Sequence, residues 1–159
     1  MDISLFKKAM GKNVTGICVV SCQYGEERHA MTVNAFLSVS VNPPTMLVSL
    51  SKKSRTAELV NKAGVFAVNL LADTQELESN RFAGRHKDKE QDRFSGLAWH
   101  AASSGCPLLE GSVGTFDCKV INAFDGGDHT LFVGQVTAGT LDENRSPLIY
   151  TNGAYQKLS

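Results

Sequence analysis

Val113-Gly114-Thr115-Phe116-Asp117-Cys118-Lys119-Val120-Ile121-Asn122, then Asp125-Gly126-Gly127-Asp128, then Thr130-Leu131-Phe132-Val133-Gly134-Gln135-Val136-Thr137-Ala138-Gly139-Thr140 is the stretch that decides the fold. Both arms favour strand, being rich in residues that suit a pleated, half-buried surface. The turn between them carries adjacent glycines, which accept positive φ. The reading is a long antiparallel hairpin.

Similar patterns recur outward from it. Val14 to Ser21 is β-rich, with Cys18, Val20 and Cys22 on one face. Tyr24-Gly25-Glu26-Glu27 turns the chain, and His29 to Ala35 returns as a partner strand. Asn42-Pro43-Pro44 stops regular structure, because two prolines remove two backbone donors. Thr45 to Leu50 is a short apolar strand, and Val65 to Leu71 is a continuous apolar run expected to be a buried one. Leu148 to Tyr150 and Ala154 to Leu158 form a last pair around Thr151-Asn152-Gly153.

Three helices are expected. Asp2 caps the first, with Leu5, Phe6, Ala9 and Met10 on one face and Gly11-Lys12-Asn13 ending it. Ser54 or Thr56 caps the second, which runs to about Asn61 and stops at Gly64. Asp73-Thr74-Gln75-Glu76 reads as a capping box opening a helix to about Phe82. Arg85 to Arg93 is nearly all charged or polar and reads as a solvated excursion, and Phe94 to Leu109 as a loop. Hairpin-linked strands with a few helices imply a mainly β fold, a closed antiparallel barrel with peripheral helices. No β-α-β rhythm and no internal repeat appears.

The chain has 159 residues, 42% of them hydrophobic, enough for one core and one domain spanning 1–159. Lys plus Arg is 16 and Asp plus Glu is 16, so no net charge draws nucleic acid or an acidic membrane. Low net charge favours self-association. Cys18, Cys22, Cys106 and Cys118 form no C-x-x-C pair and no histidine cluster joins them, so no metal site is expected. No secretory leader or membrane span is read, and a soluble protein of the reducing cytoplasm, with buried thiols, is the expectation.

The chain lacks a G-x-G-x-x-G turn, a Walker-type loop and a G-x-S-x-G elbow. Its chemistry-bearing residues concentrate in Thr32-Val33-Asn34-Ala35-Phe36-Leu37-Ser38-Val39-Ser40 and in Ser51-Lys52-Lys53-Ser54-Arg55-Thr56. These small polar and cationic residues suit one phosphorylated, planar ligand. Strand ends at Thr32, Asn34, Ser49 and Leu50 offer contacts to a ring. Ser54, Arg55 and Thr56 stand where a helix begins and its amides favour an anion, with Lys52 or Lys53 adding charge. The plainer alternative is that Ser54 or Thr56 merely caps a helix while the cations are solvated.

His129 lies at a glycine-rich strand mouth, where it can bind a ligand, donate a proton or hold a turn with Asp128. His29, His86 and His100 have no visible partner and are read as structural or solvated. Phe36, Phe66, Phe116 and Phe132 are read as core. Phe82, Phe94, Trp99 and Tyr155 either wall a ring-stacking pocket or serve a surface. Phe82-Ala83-Gly84 either approaches a ligand or only ends a helix.

Taken in order, several stretches resemble the flavin reductase-like family, the small NAD(P)H:flavin oxidoreductases with an FMN-binding split barrel. They are Met31 to Phe36 with Ser38-Val39-Ser40 and Pro43-Pro44, Ser51 to Thr56, Phe66 to Leu71, and Phe82-Ala83-Gly84. Asp92-Arg93-Phe94, Gly126 to Gly134 and Pro147 to Tyr150 complete the series.

The resemblance implies a homodimeric antiparallel split barrel binding FMN, or FAD, near the subunit interface. It implies that Thr32, Val33, Asn34, Ala35, Ser49 and Leu50 line the ring and ribityl chain. Ser38, Val39, Ser40, Ser51, Ser54, Arg55 and Thr56 would surround the phosphate region, and Phe82, Ala83 and Gly84 would lie near the cofactor. Asp128, His129 and Tyr155 would face the nicotinamide. The implied activity is hydride transfer from NADH, or NADPH, to flavin, with His129 positioning the nicotinamide. Reduced flavin would pass to a monooxygenase partner or another acceptor. The alternatives are a flavin-binding electron carrier without efficient NAD(P)H turnover and a haem-binding split barrel.

Overall fold

The computed structural model describes residues 1–85 and 92–158. In chain order its elements are α1 (Ile3–Gly11), β1 (Thr15–Gly16), β2 (Cys18–Tyr24), β3 (Glu27–Val33), β4 (Phe36–Val41) and β5 (Pro44–Ser51). There follow α2 (Arg55–Ala63), β6 (Val65–Leu70), α3 (Glu76–Phe82), β7 (Trp99–Ala101) and β8 (Pro107–Leu109). The chain closes with β9 (Gly114–Asp125), β10 (His129–Leu141), β11 (Ile149–Thr151) and β12 (Ala154–Gln156).

Seven strands form one antiparallel sheet in the order β3-β2-β6-β9-β10-β5-β4. Its two edge strands, β3 and β4, are joined only by Asn34 and Ala35. So short a link between opposite edges requires the sheet to curl round on itself. The Ser49 amide donates to Ala35 O at 2.9 Å at that junction. The barrel expected from the sequence is therefore the observed architecture.

The barrel interior holds Cys18, Val20, Cys22, Val33, Val48, Leu50, Phe66, Val68, Cys118 and Phe132. Ala57, Leu59 and Val60 of α2 join this core. Burying a side chain such as Phe66 contributes roughly 1.5–3 kcal/mol. A second cluster lies on the other face of β2, where Val19 packs with Ile17, Leu71, Phe82, Phe94, Leu109 and Leu148. Covering both faces explains why Cys18 to Cys22 are all buried instead of alternating. Gly134 sits where a Cβ would lie 2.5 Å from Phe66 Cζ, so this ring and the β10 backbone require glycine there.

Several local expectations are corrected. No capping box opens α3: Gln75 stands at the N-cap without a side-chain cap bond. Its buried amide instead accepts from Ala72 N at 3.0 Å and donates to Glu110 O at 3.0 Å. A long-range tie has displaced the local one. Phe94 to Leu109 is not all loop, since β7 and β8 form a small antiparallel pair. Strands this short, one starting at Pro107, show no readable period. They are held by Asn69, whose Oδ1 accepts from Leu109 N at 2.7 Å while Nδ2 donates to Val19 O at 3.1 Å.

Phe82 and Phe94 are buried with ring centroids 5.0 Å apart, and Phe94 continues to Trp99 at 5.7 Å. Arg28 lies over the Trp99 ring at 4.9 Å and is paired with Asp92 at 2.5 Å. Phe94 and Trp99 are therefore packed in and against the second core. Phe36 and Phe116 are only half-buried, packed against the barrel core. The helix expected at the N-terminus is present, with Asp2 accepting from Ser4 N at 2.8 Å, yet none of its residues is buried. The charged excursion expected at 85–93, including His86, lies mostly outside the described residues. All four cysteines are free and buried. No helix among the described residues is long and apolar enough to cross a membrane.

Candidate functional site

Two adjoining cavities open along the outer end of β3. One, of about 410 Å³, is lined by His29, Met31, Thr32, Ser54, Arg55, Phe82, Ala83 and Arg93. The other, of about 220 Å³, is lined by Ile17, Thr32, Asn34, Ala83, Arg85, Tyr150 and Tyr155. Thr32 and Ala83 belong to both, so the cavities make one groove.

The first cavity is its cationic end. Ser54 caps α2, accepting from Ala57 N at 3.1 Å and donating to Ser51 O at 2.7 Å. This settles the cap on Ser54; Thr56 is buried inside the first turn. The first-turn amides of a helix have no partner within it and favour an anion. Arg55 and Arg93 add two guanidinium groups. The Arg93 Nη1 donates to Phe82 O at 3.2 Å, a neutral acceptor, and among the described residues no carboxylate pairs with it. Arg55 is held by two carboxylates: Nε donates to Glu27 Oε1 at 2.6 Å, a second bond reaches Glu27 Oε2, and Nη1 meets Glu58. These bonds, with Lys62 second, hold the Glu58 carboxyl down to about 2.

His29 was expected to lack a partner, and this is corrected. Its Nδ1 lies 2.9 Å from Thr56 Oγ1, and it lines the cationic cavity. Burial first, then Arg93, lowers its pKa from the ordinary 6.5, so it is neutral at neutral pH. Strand alternation puts His29 on one face with Met31 and the core residue Val33, so no local signal in the sequence marks it for the site.

The second cavity is aromatic and polar. Tyr150 and Tyr155 meet edge to face at 5.5 Å. The Tyr155 hydroxyl lies 2.8 Å from Ser79 Oγ and donates to Asn80 Oδ1 at 3.2 Å. A hydrogen bond to Tyr150 raises the Arg85 pKa. Thr32 Oγ1 donates to Ser79 O at 2.6 Å, tying β3 to α3. Gly84, at φ +73°, turns the chain after Phe82-Ala83, a backbone conformation that favours glycine. Met31, Arg93, Arg85, Tyr150 and Ile17 also line these cavities, and the sequence alone points to no ligand role for them.

The structure gathers Thr32, Asn34, Ser54, Arg55, Phe82, Ala83 and Tyr155 along the groove. Ala35, Ser49 and Ser51 lie beside it through the Ala35–Ser49 bond and the Ser51–Ser54 bond. Val33 and Leu50 point into the barrel core instead. Ser38 and Ser40 are not brought to the groove within the chain: they line a separate, mostly apolar cavity of about 370 Å³ with Phe36, Thr45, Met46, Phe116 and Val136. β4 runs antiparallel to β5, pairing Ser38 with Met46, which leaves it about 17 Å along β5 from Ser51. Val39, on the same strand, is exposed.

His129 pairs in register with Ser51, and the Lys52 amide donates to Asp128 O at 3.0 Å. His129 Nδ1 is bonded to Asp128 Oδ1 at 2.7 Å, which lowers the Asp128 pKa. Lys52 Nζ meets Asp125 at 3.0 Å. His129 thus stands beside Ser51 at the end of β5, outside the walls of both cavities. A hydroxyl, two guanidinium groups and a helix N-terminus at one end, with an aromatic and amide-lined recess at the other, fit a nucleotide carrying a planar ring.

Comparison with known proteins agrees with this chemistry. Residues 10–159 match the model of the flavin reductase like domain. The NADH-dependent FMN reductase AsuE2 of Streptomyces nodosus subsp. asukaensis is 38% identical, over 96% of this chain and 83% of that protein. The reductase component of 4-hydroxyphenylacetate 3-monooxygenase from Thermus thermophilus is 33% identical, over 96% of this chain and 95% of its own. The solved structure of the flavin reductase PheA2 in its native state superposes with a TM-score of 0.91 at 35% identity, covering 100% of this chain and 99% of that one. With its closed sheet, its grooved outer end and these relatives, the chain belongs to the flavin reductase-like family of split barrels.

Proposed function

We propose that this protein is an NADH-dependent flavin reductase, of the class acting on NAD(P)H with flavin as acceptor, built as one domain over 1–159. The observation that carries this is the single groove running from the cationic Ser54–Arg55–Arg93 end to the Asn34–Tyr155 recess. Ser54, Arg55, Arg93 and the α2 amides hold the flavin phosphate, and Thr32, Asn34, Ala35 and Ser49 lie along its ring and ribityl chain. FMN is the cofactor in this reading, and FAD is the alternative nucleotide. When bound, flavin supplies the hydride acceptor, and the protein supplies position and electrostatics.

The residues of the chain orient and exclude water. His129, held by Asp128, sets the nicotinamide beside the ring, and no side chain acts as a base. NADH is favoured over NADPH. Reduced flavin passes to a monooxygenase component, a reading supported by the likeness to the reductase component of 4-hydroxyphenylacetate 3-monooxygenase. The working unit is a homodimer: Leu37, Val39 and Val41 of β4 and the apolar face of α1 are exposed in one chain. His129, outside both cavities, then completes a site shared with the second chain. Four free thiols suit a reducing cytoplasm.

Anaerobic addition of NADH to protein with FMN tests the reading. Loss of the visible band of oxidised flavin, at a rate set by the protein, is the expected result. Flavin binding without reduction by either nicotinamide identifies an electron carrier instead.

A further inference from the structure

Arg55 is the first residue of α2 and Glu27 the first of β3, and the tip of the β2–β3 hairpin brings them together. The contact is bidentate: Nε and Nη2 of Arg55 each reach one carboxylate oxygen of Glu27. Nη1 is directed at Glu58. A guanidinium has five N–H donors in a fixed fork. Here the donors that recognise a carboxylate or phosphate edge are already engaged by a side chain of the same protein.

We propose that Glu27 is a positioning residue that competes with the flavin phosphate for Arg55, keeping flavin exchangeable and not a fixed prosthetic group. This rests on reading the Ser54–Arg55 end of the groove as the phosphate site.

The local charge supports competition. Arg55 and Arg93 face the cavity, Glu27 and Glu58 neutralise the first of them, and His29 beside them is neutral. A phosphate arriving at this end must take donors from Glu27 and then sit near its carboxylate. Glu58 has another cation, Lys62 Nζ at 2.8 Å, so it can release Arg55 without losing its own pairing. Glu27 is held low chiefly by Arg55 itself. The side chains of Arg55 and Glu27 are 38% and 46% exposed, which makes the pair displaceable and sensitive to salt. Exchange of one partner for another lowers net affinity and speeds release. A protein that hands reduced flavin to a second component needs both.

The test measures FMN and riboflavin dissociation constants for the wild type, Glu27→Gln and Arg55→Ala, at low and high salt. Riboflavin carries the ring and no phosphate. Glu27→Gln is expected to bind FMN about two- to fivefold tighter, the range an exposed ion pair carries. Its riboflavin affinity stays unchanged, its release of FMN slows, and its gain shrinks as salt rises. Glu27→Ala repeats the sign without the residual hydrogen bond of the amide.

If Glu27→Gln binds FMN as the wild type does, or more weakly, while Arg55→Ala loses the preference for FMN over riboflavin, the proposal is overturned. Glu27 then orients Arg55 for phosphate. If Arg55→Ala keeps that preference, the phosphate reading itself fails, and the competition with it.

Discussion

His129 is the ladder partner of Ser51, so the histidine at the head of β10 stands beside the start of the loop that leads into α2. One strand pairing ties the proposed nicotinamide side to the proposed phosphate side. His129→Ala is expected to raise the KM for NADH about five- to tenfold, the size of one lost hydrogen bond. The dissociation constant of FMN should hardly move. Equal loss of both, in steady-state kinetics and flavin titration, would make His129 part of the flavin pocket.

Ser54 both caps α2 and faces the cationic cavity. Ser54→Ala should cost about 1 kcal/mol of stability through the lost cap. It should also weaken FMN binding while sparing riboflavin. Urea denaturation reads the first effect and paired titrations the second. A cap without a phosphate role would show only the first.

His29 makes stability depend on pH. Burial and Arg93 pull its pKa below the ordinary 6.5. As pH falls, the unfolded chain therefore takes up a proton there before the folded one does. The stability carried by neutral His29 is complete above 6.5 and is lost as pH falls through the lower folded value. Melting temperatures of the wild type should drop across that window more steeply than those of His29→Gln. Parallel curves would remove His29 as the group responsible.

Gly134 has no room for a side chain: a Cβ would lie 2.5 Å from Phe66 Cζ and 2.9 Å from Cys118 Cβ. Gly134→Ala is expected to destabilise by about 1–3 kcal/mol through forced movement of the core. Chemical denaturation measures it. An unchanged midpoint would mean that the Phe66 ring yields at little cost.

The elements read best from sequence are those whose signals are local. The Gly64 stop of α2, the apolar run of β6 and the Gly126-Gly127 turn all rest on residues within a few positions of one another. The barrel followed from hairpins counted along the chain. The helix α3 is where the sequence puts it, but its cap is not: Asp73 and Glu76 mimic a capping box, while Gln75 stands at the N-cap and gives its amide to Ala72 and Glu110. β7 and β8 were missed because three-residue strands have no period, and Asn69 holds them from a distant strand.

The groove divides in the same way. Residues next to a turn or a cap, such as Ser54, Arg55 and Asn34, were legible because their surroundings lie beside them in the chain. His29, Arg93 and Tyr150 were not, since each enters the groove from a different element. Sequence by itself determined the hairpins of β2 with β3, β9 with β10 and β11 with β12, and where α2 begins, because backbone propensity and glycine conformation act over a few residues; the pairing of β4 with β5 across Asn42-Pro43 was not read. Only the tertiary structure decided that Ser38 and Ser40 lie apart from the Ser54–Arg55 end and that Glu27 meets Arg55. Strand register and barrel closure set those distances, and both depend on burial shared across the whole sheet.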